Sequence, residues 1–198
     1  GGGLGGEVGT WQDPKNFPGQ AHFTEHLLFL GNAQNPEENG FRRFLDGHGG
    51  RSNAYTAPQI TNFMFEVQEE ALPEALQRFA AMFVTPNFDE VAMRREQVAV
   101  DQEFLRAMAS DVWRQELVMR HLNREQHPDS RFGMGNSQTL NPLTSAQSRQ
   151  WFEKHYSANL SHLVVYSSYS TREMQEMVEQ YFSQIPNRHI EPFTVLGR

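Results

Sequence analysis

The chain contains no cysteine, which excludes disulfides and thiolate metal sites and leaves His, Asp and Glu as the side chains able to hold a metal. It is also short of positive charge: 17 Lys and Arg stand against 24 Asp and Glu, a net charge of −7. With no basic run to form a polyanion-binding patch, nucleic acid is excluded as a partner. No apolar run approaches the roughly 18 residues of a membrane span, and no leader with a basic start and an apolar centre is present. The expectation is a soluble chain with no membrane partner. What the sequence does have is 198 residues, 38% hydrophobic and 12% aromatic, enough for one sizeable core.

Residues 1–6, Gly-Gly-Gly-Leu-Gly-Gly, have too much backbone freedom to order by themselves and read as a flexible glycine-rich lead, with one domain over residues 7–198. An apolar segment at helical period predicts a buried helix over 19–30, and Asn35 with Pro36 predicts the start of a short helix ending in the glycines at 47–50. "RSNAYTA" and "TNFMFEVQ" predict an antiparallel pair with Phe63, Phe65 and Val67 on one face. Further helices are expected over 69–84, 88–108, 110–122 and 145–155, with a loop over 124–136 and a strand over 161–170. A capping box at Ser170 and Glu173 opens the last helix. Strand pairs mixed with helix pairs predict an α+β fold, an antiparallel sheet packed against helices.

The segment "QAHFTEHLLFLG", 20–31, places three titratable groups in an oily helix. His22 and His26 are one turn apart on one face, and Glu25 lies beside His22 through i, i+3 contact. Two imidazoles at this spacing can hold one Zn²⁺, while a neighbouring carboxylate that is not a ligand can take a proton from metal-bound water. Three unpaired polar groups there would each cost a few kcal/mol, a cost a bound metal removes. A hydrolytic zinc site needs a third protein ligand. The helix over 88–108 offers Glu96 and Glu103, two turns apart on one face, and a solvated charged face is the competing reading for Glu96. His48, His121, His127, His155, His162 and His189 fall outside the motif and are assigned to surface or packing.

"HFTEHLLFLG", "HGGRSNAYTA", "REQVAVDQEF", "FGMGNSQTL" and "HYSANL" together resemble blocks of the pitrilysin/insulinase family of inverted-motif zinc peptidases, in family order, with a flavour closest to its bacterial pitrilysin-type members. The resemblance implies His22, His26 and Glu103 as zinc ligands, Glu25 as general base and Glu96 as a supporting acidic group. It implies that "SNAYT" receives substrate, with Asn53, Ala54 and Tyr55 binding it and the first two near the scissile bond. The implied activity is that of a zinc endopeptidase acting on extended peptides, periplasmic in bacteria by the same resemblance or else cytoplasmic. Family members carry a strand ahead of "VGTW", where this chain has glycines, so the sheet is expected to lack that strand or to start differently. Complete members also contain a second, homologous C-terminal half that helps bind substrate. The alternative function is therefore a zinc-binding, peptide-binding half-domain that is inactive without such a partner.

Overall fold

The computed structural model describes residues 1–194. Its four strands, β1 (Gly2–Gly6), β2 (Arg51–Thr56), β3 (Thr61–Glu66) and β4 (Ser161–Val165), form one antiparallel sheet in the order β2-β3-β1-β4. The β2–β3 pair is the hairpin expected from alternating aromatic residues, registered as Ala54 opposite Phe63 and Thr56 opposite Thr61. β2 lies at the edge of the sheet. β4 ends at Val165 rather than running on to residue 170.

The expected flexible lead is corrected by β1, which occupies an interior position between β3 and β4. Leu4 is opposite both Phe63 and Leu163 and is 2% exposed. Glycine has weak strand preference because it loses more entropy than other residues on ordering. Here two flanking strands supply backbone partners on both sides, and one buried leucine anchors the segment. The sheet thus has its opening strand. Gly3 and Gly5 face away from the core between Met64 and Val164 and between Asn62 and His162, leaving a side-chain-free trough on the outer face.

Eight α-helices are present among the described residues: α1 (Gln20–Leu28), α2 (Gly40–Gly47), α3 (Leu72–Val84), α4 (Glu90–Met108), α5 (Asp111–His121), α6 (Ser137–Leu140), α7 (Ser145–His155) and α8 (Thr171–Phe182). None is long and apolar enough to cross a membrane. The inner face of the sheet meets the helices through aromatic contacts: Phe63 packs on Phe29 and Phe83, and Phe65 on Phe41 and Phe79. Burying such rings is the main source of stability. The expected cap at Ser170 accepts from the Glu173 N–H, and Asp89, which the sequence analysis did not single out, caps α4 by accepting from the Ala92 N–H. Asn35 does not cap α2. Its carbonyl accepts from Asn32 and its side chain from Arg78, so it closes a turn, and α2 starts after Asn39.

Candidate metal centre

α1 begins after Gly19, whose φ of 93° is a left-handed conformation that suits glycine. The first amides of the helix are taken by Asp13, a residue outside it: its carboxylate accepts from Gly19 N–H at 2.8 Å and Ala21 N–H at 2.7 Å. Burial raises the Asp13 pKa to about 7, against the two amide bonds and nearby Arg131. α1 is thereby fixed at its start, and its polar face meets α4.

There the structure brings His22, His26 and Glu103 together. The His22 and His26 Nε2 atoms are 3.2 Å apart, and Glu103 Oε2 lies 3.7 Å from the first and 3.4 Å from the second. A tetrahedral ion with ligand bonds of ~2.0–2.1 Å separates its ligand atoms by ~3.3–3.4 Å, so the triangle fits zinc geometry. The outer nitrogens agree: His22 Nδ1 is 2.7 Å from the Met134 carbonyl and His26 Nδ1 is 2.7 Å from Glu96 Oε1. Both partners accept, so each neutral ring carries its proton on Nδ1 and turns an Nε2 lone pair toward the other. Two facing lone pairs repel each other unless a cation or a shared proton lies between them. Among the described residues no other cluster of His, Asp or Glu has this geometry.

The electrostatics favour positive charge at the same point. Burial works against a charged His26, yet hydrogen bonds to Glu103 and Glu96 and the nearby Glu25 carboxylate bring its pKa up to about 9. The hydrogen bond with His26, opposed by burial, holds Glu103 below the usual carboxylate range. A divalent cation between these three atoms would meet that demand without a proton.

Glu25, 7% exposed, is not among the three convergent groups. Its Oε2 accepts a hydrogen bond of 2.6 Å from the Thr56 hydroxyl at the end of β2. His22, Glu25, His26 and Glu103 line one cleft of about 400 Å³ with Asn53, Ala54, Tyr55 and Thr56. The Ala54 N–H donates to the Asn53 side-chain oxygen at 2.9 Å, so an edge donor is covered by a short, displaceable group. The hydrogen bond of Thr56 to Glu25 is not legible in the sequence, which places Thr56 only on the substrate-receiving strand. A partial signal is alternation, since Thr56 shares the less exposed face of β2 with Ser52 and Ala54. Replacing Thr56 by Val should lower turnover about tenfold, the scale of one hydrogen bond to a charged group. Thr56→Ser should restore it. Equal turnover for the Val and Ser variants would show that the hydroxyl does nothing.

The tertiary role of segment 131–143 is also missed: the sequence singles out "FGMGNSQTL" within it as a family-like block but reads residues up to 136 as plain loop. The segment ties α1 and α4, the helices that carry His22, His26 and Glu103, together: Met134 meets His22, while Gln97 of α4 donates to Leu140 O at 2.8 Å and Asp101 of α4 accepts from Ser137 N–H at 2.7 Å. Gly135 has φ 83° and lies against Gly19, where a Cβ on Gly19 would sit 2.3 Å from the Gly135 Cα. Gly135→Ala would place its Cβ 2.8 Å from Leu140. That variant is expected to lose about 1–2 kcal/mol from the left-handed backbone alone and to bind zinc more weakly, because the Met134 carbonyl shifts. Thermal melts and zinc competition read the two effects, and unchanged zinc affinity in a destabilised variant would separate the loop from the site.

Residues 3–134, which include His22, Glu25, His26, Glu96 and Glu103, match the family model described as Insulinase (Peptidase family M16). Residues 142–196 match a model described as Peptidase M16 inactive domain. Insulin-degrading enzyme-like 1, peroxisomal, of Arabidopsis thaliana is 40% identical over 187 residues, covering 91% of this chain and 19% of its own length. Nardilysin of Homo sapiens is 41% identical over 187 residues, covering 91% of this chain and 16% of its own. The crystal structure of pitrilysin superposes with a TM-score of 0.95 at 33% identity, over 99% of this chain and 21% of that one. The chain therefore spans about a fifth of the length of such relatives.

Proposed function

The chain belongs to the insulinase family of peptidases, M16, and we propose that it is a zinc-dependent, peptide-hydrolysing module in which His22, His26 and Glu103 hold the metal and Glu25 is the general base. The observation that carries this reading is the triangle of 3.2, 3.4 and 3.7 Å between two imidazole nitrogens and a carboxylate oxygen, with both outer ring nitrogens already committed to acceptors. When bound, zinc would supply a Lewis acid that polarises a peptide carbonyl and brings the pKa of water toward ~7.

The remaining steps belong to the protein. Glu25 takes the proton of the attacking water and hands it to the leaving amine, so one carboxylate serves first as base and then as acid. Thr56, donating to Oε2, leaves the other oxygen of Glu25 for that transfer. Glu96 and the Met134 carbonyl fix the tautomers of His26 and His22, which keeps both Nε2 lone pairs aimed at the metal. The peptide binds by adding a strand to the β2 edge at Asn53–Thr56, its carbonyl displacing the Asn53 side chain from the Ala54 N–H. Main-chain pairing of this kind accepts many side chains.

Metal analysis tests the reading. One zinc per chain is expected, lost in His22→Ala, His26→Ala and Glu103→Ala. Full stoichiometry in any of the three would remove that residue from the ligand set. For strand addition, the amides of residues 53–56 should exchange more slowly with solvent when an uncleaved peptide is bound, and unchanged exchange would place the peptide elsewhere.

A further inference from the structure

Resting on the peptidase reading above, we propose that Arg42 is a specificity-determining residue of the cleft and selects an acidic side chain at one position of the bound peptide. Arg42, exposed on α2, lines the same cleft as His22, His26, Asn53 and Ala54. Its guanidinium lies over the ring of buried Phe29, with Cζ 4.3 Å from the centroid. That stacking holds the group in place by its face and leaves the N–H donors around its edge pointing outward. An arginine already ordered by an aromatic ring loses little further entropy on capturing a ligand.

Its neighbours show the contrast. Arg43, next along α2, pairs with Glu37 at 3.1 Å, and Arg78 pairs with Glu74 at 2.7 Å. The other arginine lining the cleft, Arg120, is held by Glu116 at 3.2 Å and Asp129 at 3.3 Å. Among the described residues Arg42 has a ring for a partner and no carboxylate. A planar guanidinium with its donors open is suited to a carboxylate in bidentate geometry.

The carboxylates of the cleft limit where such a ligand can lie. Glu25, Glu103 and Glu116 also line it, the first facing Thr56, the second the two histidines and the third Arg120. A peptide carboxylate near any of them meets like charge, and the protein as a whole is acidic. Preference for Glu or Asp should therefore appear at the single peptide position that passes Arg42 and be absent or reversed elsewhere. Lysine at that position should be rejected, since the guanidinium would face a second cation.

The test is a binding assay, using the zinc-loaded Glu25→Gln chain so that peptides stay intact. Fluorescent peptides of one sequence carry a single Glu stepped along their length, each compared with its Gln and Lys versions. At one position the Glu peptide should bind roughly three- to fivefold tighter than the Gln peptide, the scale of one partly exposed ion pair. The gain should shrink as salt is raised. Arg42→Gln should erase it, and Arg42→Glu should turn the preference toward Lys at that same position. Identical Glu-to-Gln ratios for the parent and both Arg42 variants would overturn this inference and leave the peptidase reading standing. If no peptide of the series binds, the cleft does not hold peptides and both fall.

Discussion

Glu25→Gln is expected to keep the metal of the parent chain and to lose peptide hydrolysis by on the order of 10²–10⁴, the contribution of a positioned general base. The substitution is nearly isosteric. A glutamine carbonyl can still accept from the Thr56 hydroxyl, which in the parent donates to Glu25 Oε2 at 2.6 Å, so the side chain should stay in place while losing its ability to accept a proton. The ligand triangle does not include Glu25, and metal content should therefore match the parent. His22→Ala should behave oppositely, losing metal and turnover together. The division of roles fails if Glu25→Gln strips zinc as thoroughly as His22→Ala, or if it turns over peptide at the parent rate.

The second large effect concerns the chain taken alone. We expect the zinc-loaded chain to cleave peptides about 10²–10³ slower than the same chain combined with a homologous C-terminal half, because removing one oxyanion donor costs about that much. The groups hydrogen-bonded to His22 and His26 are the Met134 carbonyl and the Glu96 carboxylate, both acceptors, and the Thr56 hydroxyl is spent on Glu25. None of these can steady a developing oxyanion. The Glu103 side chain is 42% exposed, so water reaches its carboxylate and would weaken the electrostatic stabilisation that a bound metal supplies. A chain spanning about a fifth of its relatives' length leaves room for further donors beside the metal ligands to come from elsewhere. Adding the second half should raise turnover without altering zinc per chain. Equal rates for the isolated and combined forms would show that the described residues already contain all that the chemistry needs.

The sequence by itself determined what is local. Positions three and four apart on a helix share a face whatever the rest of the chain does, so the arrangement of His22, Glu25 and His26 could be read from their spacing. Alternating Phe63 and Phe65 likewise made β3 a half-buried strand, and Ser170 with Glu173 marked the start of α8. Pattern failed where one segment's state depends on another. Residues 1–6 have the composition of a linker, yet they form a strand because β3 and β4 present open ladders on both sides and Leu4 finds a pocket in the core. The same holds within the candidate site. Both Glu96 and Glu103 lie on the face of α4 turned toward α1, and the spacing of seven cannot say which reaches the Nε2 atoms. Only the packing of α4 against α1 puts Glu103 beside both Nε2 atoms and Glu96 on the outer nitrogen of His26. The Thr56–Glu25 bond, the Met134 carbonyl on His22 and the Gly19–Gly135 contact are pairings across long stretches of chain. No periodicity records them, because tertiary packing fixes them only after each element has formed.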